Sequence, residues 1–245
     1  PHAGIAGDKV VRTPAFDRLA RAGVLFTQAF VSAPSCSPSR AALLTGQHFW
    51  RLEEGAILWS TLPAKFPVYP DLLEQAGYHV GHTGKGWGPG PIAPGGRQRN
   101  PAGPLYKSFQ QFLDARPPGK PFCFWFGPTN THRKWIKGSG KALWGIDPNA
   151  LKGKMPPFWP DVHEVREDLA DYLGEAQAVD AAIGLLVDEV RKIGELDNTL
   201  IVISGDHGIP GFPHGKCNLY DFGTGVCLAI AGPGVRGGRV VDVTT

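Results

Sequence analysis

Short apolar segments alternate with helical patterns along this chain, and this alternation constrains the fold more than any other feature. The apolar segments that we predict as strands are residues 24–31, 78–83, 121–126, 200–204 and 226–231. Strands that are connected through helices usually run parallel within one sheet, with helices covering both faces. We therefore expect an α/β fold, with a mainly parallel sheet sandwiched between helices. Ligands of such sheets gather at the carboxyl ends of the strands.

The helical patterns include one very long segment. Residues 164–193 place apolar side chains at alternating steps of three and four, which is the spacing of one helix face. A coiled coil has a similar stripe, but Gly174 and Gly184 interrupt it, so a helix that covers a core is the better interpretation. Thr13-Pro14 begins another helix, which Gly23 ends. The remaining predictions are short helices at 39–45, 69–76 and 107–115, with loops at 32–38 and 84–104.

Composition and charge exclude several classes of protein. The chain has 25 basic and 22 acidic residues, a formal net charge of +3, and no run of five like charges. We therefore expect no nucleic-acid partner. No apolar stretch reaches about 18 residues, so we expect no membrane span, and the first seven residues do not resemble a signal peptide. The cysteines have no zinc-site spacing, and Cys123 and Cys227 lie in apolar segments, which predicts buried thiols.

Polar residues follow four of the predicted strands. They are Cys36 to Arg40 after the first strand, then Lys85, then His132, and finally Asp206-His207. A Cys36 thiolate would be stabilised by the N-terminus of the next helix, and Arg40 would hold an oxyanion. This pattern suggests a nucleophile that acts on an anionic substrate. The cysteine-phosphatase loop is excluded, because it needs an arginine at position 42, which is alanine here.

The segment Cys36-Ser37-Pro38-Ser39-Arg40, followed by Leu44-Thr45-Gly46, resembles the signature of the type I sulfatases of the alkaline-phosphatase-like superfamily. In that family the cysteine is oxidised after translation to formylglycine, whose hydrated aldehyde is the nucleophile. The resemblance therefore implies formylglycine at position 36 and a formylglycine-generating maturation enzyme as a partner. The alternative is a buried thiol beside a capping serine.

The resemblance extends from Thr13 to the C-terminus and implies a role for each polar group. Thr83-Gly84-Lys85 is similar to the family's Gly-Lys element, and Ser204 to Gly208 resembles its metal-binding step. The catalytic residues that the resemblance implies are Cys36, Arg40, Lys85, His132 and Lys216, and the metal ligands are Asp206, His207 and the residue-36 side chain. Fixed cations would stabilise the negative charge that develops on sulfate oxygens, and His132 would bind sulfate or protonate the leaving group. Asp206 offers a hard oxygen ligand for Ca²⁺ or Mg²⁺.

Some assignments stay open. His214 lies close to Lys216 in sequence, so either side chain would face the site. Replacing Arg40 with alanine is expected to abolish turnover with little effect on the fold.

Two departures from the family pattern matter. Position 87 is Trp, where sulfatases usually have a histidine, and Trp87 would instead stack on a sugar ring. The family also begins with a strand that ends in an Asp-Asp pair, whereas Asp8 follows no strand and has no Asp neighbour. We therefore expect residues 1–245 to form one catalytic-domain core that lacks this first strand and the smaller C-terminal subdomain.

The resemblance implies a periplasmic or secreted hydrolase of sulfate esters or sulfamates on a sulfated carbohydrate. Gly208-Ile209-Pro210 and Asn218-Leu219-Tyr220 resemble the sulfamidase branch of the family most. Two other functions remain open: a phosphonate or phosphate monoester hydrolase of the same fold, and a catalytically inactive fragment that binds glycans.

Overall fold

The computed structural model describes residues 2–245. It contains two compact units, which we name the discontinuous unit (the chain up to Phe30 together with Asn130–Thr245) and the inserted unit (Val31–Thr129). The helices are α1 (Pro14–Ala22), α2 (Cys36–Thr45), α3 (Tyr69–Gln75), α4 (Phe109–Asp114), α5 (Ser139–Trp144), α6 (His163–Lys192) and α7 (Asp221–Thr224). The strands are β1 (Val24–Phe26), β2 (His79–Gly84), β3 (Phe122–Gly127), β4 (Ile201–Ser204), β5 (Leu228–Ala231) and β6 (Arg239–Val241). Helices and strands alternate along much of the chain, as an α/β fold requires.

The sheet of the discontinuous unit has the strand order β4-β5-β1-β6. Strand β6 runs parallel to β1, but β5 runs antiparallel to both β1 and β4. This sheet is therefore mixed, whereas the alternating pattern indicated a mainly parallel one. The reason is the connection from β4 to β5, which contains only the short α7 and returns the chain beside β4 without a crossover helix.

Helices α1 and α6 contribute side chains to the core of the discontinuous unit, and α5 packs against α6. Phe16 and Ala20 of α1 pack on Leu25 and Ala229 of the sheet. The long helix α6 covers a core rather than forming a coiled coil, as predicted. Its Gly174 permits a close approach, because a Cβ there would lie 3.0 Å from the Cα of Gly140 in α5. No helix formed by residues 2–245 combines the length and the apolar composition that a bilayer crossing requires.

A carboxylate of α6 caps the N-terminus of α1. The buried Asp180 accepts hydrogen bonds from the backbone N–H groups of Ala15 at 2.9 Å and Phe16 at 2.8 Å. These N–H groups belong to the first turn of α1, where they have no partner within the helix. Asp180 therefore fixes α1 against α6.

The inserted unit contains the parallel pair β2 and β3, paired in register from His79↔Phe122 to Gly84↔Gly127. Helix α2 begins at Cys36, three residues earlier than predicted. Pro38 is tolerated there because N–H groups of the first turn need no intrahelical acceptor.

Trp87 lies in the core of the inserted unit and not on a substrate surface. Its side chain is 4% exposed and packs with Ala41 and Leu44 of α2. Asn100 holds its backbone from both sides, since the Trp87 N–H donates to Asn100 Oδ1 at 2.9 Å and Asn100 Nδ2 donates to the Trp87 carbonyl at 2.9 Å. The expectation that Trp87 stacks on a sugar ring is therefore wrong.

Candidate active site

The inserted unit carries the signature cysteine at the start of a helix. Cys36 is the first residue of α2, it is buried, and Ser35 before it has extended backbone. Unpaired N–H groups and the helix dipole make such a position favourable for an anion or a developing negative charge. The neighbouring Ser37 is also buried, and its hydroxyl donates to the carbonyl oxygen of Pro89. The small side chains of the signature thus let the first turn of α2 lie inside the unit.

Arg40 ties α2 to the carboxyl end of β2. Its side chain is 7% exposed. The Nη1 atom donates to the carbonyl oxygen of Lys85 at 2.7 Å and to that of Gly86 at 2.8 Å. The guanidinium carbon lies 5.9 Å from the ring centre of Trp125, whose Nε1 also donates to the Lys85 carbonyl. Arg40 therefore positions the backbone around Lys85, a role that the sequence did not reveal.

Two glycines set the position of Lys85 at the end of β2. Gly84 has φ 67°, a conformation that favours glycine, and a Cβ there would lie 2.3 Å from the carbonyl oxygen of Gly127. A Cβ on Gly127 would lie 1.8 Å from the carbonyl oxygen of Lys85. The Lys85 N–H donates to the Gly127 carbonyl at 2.6 Å. The structure thus brings the Arg40 side chain and the Lys85 backbone together, although the two residues are 45 positions apart in the sequence.

The other cysteines of the apolar segments are poor nucleophiles. Burial raises the pKa of the Cys123 thiol to about 11. Burial also raises the pKa of Cys227. Both thiols therefore stay protonated near neutral pH, although they are half-buried in the structure and not fully buried as predicted.

In the discontinuous unit, Asp206 and His207 follow β4 after Gly205. His207 Nδ1 lies 2.8 Å from the carbonyl oxygen of Gly208, which can only accept a hydrogen bond, so Nδ1 carries the proton. The lone pair is then on Nε2, which lies 3.8 Å from Asp206 Oδ1. Bonds from a cation to such donors measure about 2.0 to 2.5 Å, so both atoms can reach one ion. This donor pair therefore fits a divalent cation, although the nitrogen ligand is more typical of transition metals than of Ca²⁺ or Mg²⁺.

His132 lies on an exposed loop that its neighbour anchors. Its Nδ1 lies 2.7 Å from the carbonyl oxygen of Arg133. The Arg133 guanidinium donates to both carboxylate oxygens of Asp168 on α6 and lies 4.1 Å from the ring centre of Trp135. Arg133 is thus a positioning residue for His132. Sequence reasoning missed it, because no pattern distinguishes it from the neighbouring Lys134.

Lys216 belongs to a loop that closes on itself. Its N–H donates to the carbonyl oxygen of Ile209 at 2.9 Å. His214 has a different role, since its ring stacks between Phe158 at 4.4 Å and Tyr220 at 4.0 Å, measured between ring centres. Because the His214 ring is held in this stack, Lys216 remains the predicted sulfate ligand of this loop.

Comparison with known proteins gives the same family as these residues. The family model described as Sulfatase matches residues 1–89 and 98–241. Human N-sulphoglucosamine sulphohydrolase is 32% identical to the chain, over 94% of this chain and 52% of the relative. The chain thus spans about half the length of that curated relative.

Solved structures share the fold. A sulfatase from Pseudoalteromonas sp. superposes with a TM-score of 0.66 at 19% identity, covering 99% of this chain and 62% of that one. The phosphonate monoester hydrolase of Agrobacterium radiobacter superposes with a TM-score of 0.67 at 18% identity, covering 99% of this chain and 68% of that one. These similarities show the fold alone, whereas the family model covers most of the sequence. The chain therefore belongs to the sulfatase family.

Proposed function

We propose that the protein containing this chain hydrolyses sulfate esters or sulfamates of a sulfated glycan, with formylglycine derived from Cys36 as the nucleophile. The observation that carries this proposal is the signature at the N-terminus of α2, tied by Arg40 to the backbone of Lys85. The human relative named for an N-sulphated sugar supports a sulfated carbohydrate as the substrate.

The inserted unit would supply positive potential to the sulfate group. The sulfate carries negative charge, and its leaving oxygen gains more as the bond to sulfur breaks. The N-terminal N–H groups of α2, the Lys85 ammonium group and the Arg40 guanidinium would stabilise that charge. Formylglycine at position 36 supplies the attacking hydroxyl from its hydrated aldehyde.

Residues of the discontinuous unit would bind the sulfate and move a proton. Lys216 would hold sulfate oxygens. Nδ1 of His132 donates to the Arg133 carbonyl, so a proton for the leaving group would come from Nε2 of the imidazolium. Asp206 and His207 would hold a divalent cation, Ca²⁺ or Mg²⁺, which would neutralise part of the sulfate charge.

The proposal also covers the location of the enzyme, its maturation and its partners. We expect a periplasmic or secreted location and a formylglycine-generating enzyme that matures Cys36, as in related sulfatases. We expect neither a nucleic-acid partner nor a membrane span.

A phosphonate or phosphate monoester hydrolase is the second candidate, favoured by the shared fold with the Agrobacterium radiobacter enzyme. A catalytically inactive glycan-binding protein is the third. All three use the same anion-binding groups, so turnover of matched substrates must separate them.

The test compares 4-nitrophenyl sulfate, 4-nitrophenyl phosphate and 4-nitrophenyl phenylphosphonate with the full-length protein, produced with a formylglycine-generating enzyme. We expect the sulfate to be hydrolysed fastest, Cys36→Ala to abolish turnover, and Cys123→Ala, a matched cysteine of the same unit, to retain it. Faster turnover of either phosphorus ester would support the second candidate. Absence of turnover with added Ca²⁺ or Mg²⁺, together with glycan binding that survives Cys36→Ala, would support the third.

A further inference from the structure

An exposed stack of two rings lies on the surface of the inserted unit. The rings of His48 and Trp50 are 4.2 Å apart at an interplanar angle of 8°. Trp50 remains 62% exposed. His48 stacks on the indole and the ring of Phe49 meets it at 5.4 Å and 78°, yet more than half of Trp50 stays accessible. The indole is thus held in one orientation by two neighbouring rings and keeps a large accessible apolar area.

Ser32 fixes this stack to the loop that leads into Cys36. Its Oγ accepts a hydrogen bond from the N–H of Phe49 at 3.0 Å and lies 3.4 Å from His48 Nδ1. Ser32 precedes Cys36 by only four residues in the sequence. The chain after α2 therefore returns beside the loop that leads into α2, and the stack lies next to this loop.

The chemistry of the stack suits an uncharged face of a sugar ring. The face of an aromatic ring carries partial negative charge, whereas the C–H groups on a pyranose face carry partial positive charge. A held indole also loses little conformational freedom when a ring stacks on it. The exposed Arg51 next to Trp50 would favour an anionic glycan over a neutral one.

We propose that the His48–Trp50 stack is a carbohydrate subsite that binds the sugar ring next to the sulfated one. This inference rests on the proposed function, because it concerns the same glycan substrate. Nothing in the signature motif requires an aromatic residue at position 50, so the subsite is a separate feature of this chain.

The test measures the ratio of kcat/KM for a glycan to kcat/KM for 4-nitrophenyl sulfate, with the full-length protein. The glycan is whichever of heparin, chondroitin sulfate and carrageenan tetrasaccharides the unmodified protein hydrolyses fastest. We expect Trp50→Ala to lower this ratio about ten-fold, as the loss of one aromatic stack implies, and Trp50→Phe to lower it less. Trp59→Ala is the matched control, because Trp59 is 71% exposed in the same unit and makes no ring stack with His48. It should leave the ratio unchanged.

Direct titration with the same three tetrasaccharides gives a second readout that does not need turnover. We expect the dissociation constant of Trp50→Ala to rise about ten-fold while that of Trp59→Ala stays constant. Equal ratios and equal affinities for Trp50→Ala and the unmodified protein would overturn the subsite. So would a protein that hydrolyses 4-nitrophenyl sulfate but neither binds nor hydrolyses any of the glycans. If the formylglycine-containing protein without substitutions does not hydrolyse 4-nitrophenyl sulfate, the proposed function is refuted instead. The titration would still decide on the subsite.

Discussion

Replacing Arg40 with alanine should destabilise the fold as well as abolish turnover. The sequence suggested little effect on the fold, but the structure shows Arg40 buried, with Nη1 bonded to two backbone carbonyls. A buried hydrogen bond from a charged donor contributes roughly 1.5 to 3 kcal/mol. The Gly86 carbonyl loses this donor, whereas the Lys85 carbonyl keeps Trp125 Nε1 at 3.1 Å. We therefore expect the free energy of unfolding to fall by about 3 kcal/mol, counting the second bond at about 1 kcal/mol.

Thermal unfolding of the purified variant measures this loss. In a domain of about this size, each kcal/mol shifts Tm by roughly 2 to 4 °C, so we expect a decrease of roughly 6 to 12 °C. Arg40→Lys keeps the charge but lacks the planar fork, and should lie between the alanine variant and the unmodified protein. Arg236→Ala, which removes an exposed arginine, is the matched control. If Arg40→Ala unfolds at the same temperature as Arg236→Ala, the proposed positioning role is refuted.

Three further predictions concern stability and geometry. Asp180→Ala removes the acceptor for two N–H groups of α1 and should lower the free energy of unfolding by about 2 kcal/mol; an unchanged urea midpoint would contradict this. Burial alone would raise the pKa of Asp8, but hydrogen bonds from a histidine side chain and two backbone N–H groups lower it to about 2. A depressed pKa stabilises the fold above the unfolded value of about 3.9, and this stabilisation is lost as pH falls toward about 2. The free energy of unfolding of Asp8→Asn should therefore depend less on pH over that range. Equal pH dependence of the variant and the unmodified protein would refute this role of Asp8. Gly127→Ala would place a Cβ 1.8 Å from the carbonyl oxygen of Lys85, so it should lower both Tm and kcat/KM for 4-nitrophenyl sulfate. Gly184→Ala is its control, because the Cβ there would meet its nearest atom at an ordinary 3.5 Å. Equal Tm and kcat/KM in the two variants would show that the close approach of Gly127 to Lys85 is not required.

Local patterns predicted the longer elements well. Helix α6 begins and ends within one residue of the predicted 164–193, because an apolar stripe of that length can hardly arise by chance. The strand predicted over residues 24–31 is limited to β1 at Val24–Phe26, since apolar character does not separate a strand from a buried turn. Helix α5 and strand β6 were not predicted, because each is too short to carry a periodic pattern.

Contacts between distant parts of the chain could not be predicted from the sequence. Asp180 caps a helix that begins more than 160 residues earlier, and no local signal marks it. Among the candidate site residues, the signature and the strand end indicated Cys36, Arg40 and Lys85, whose roles stay predictions. The partners of Arg40 could not, because the carbonyl groups that it binds carry no side-chain identity. The anchoring of His132 by Arg133 and the His48–Trp50 stack likewise depend on tertiary packing.

The measurement that tests the central claim most directly is the mass of the peptide that contains Cys36, from protein purified from its native host. Conversion to formylglycine removes the sulfur and two hydrogens and adds one oxygen, which mass spectrometry resolves. We predict this mass change at residue 36 and at none of the other cysteines. An unmodified thiol at Cys36, in protein that nevertheless hydrolyses sulfate esters, would contradict the proposed nucleophile.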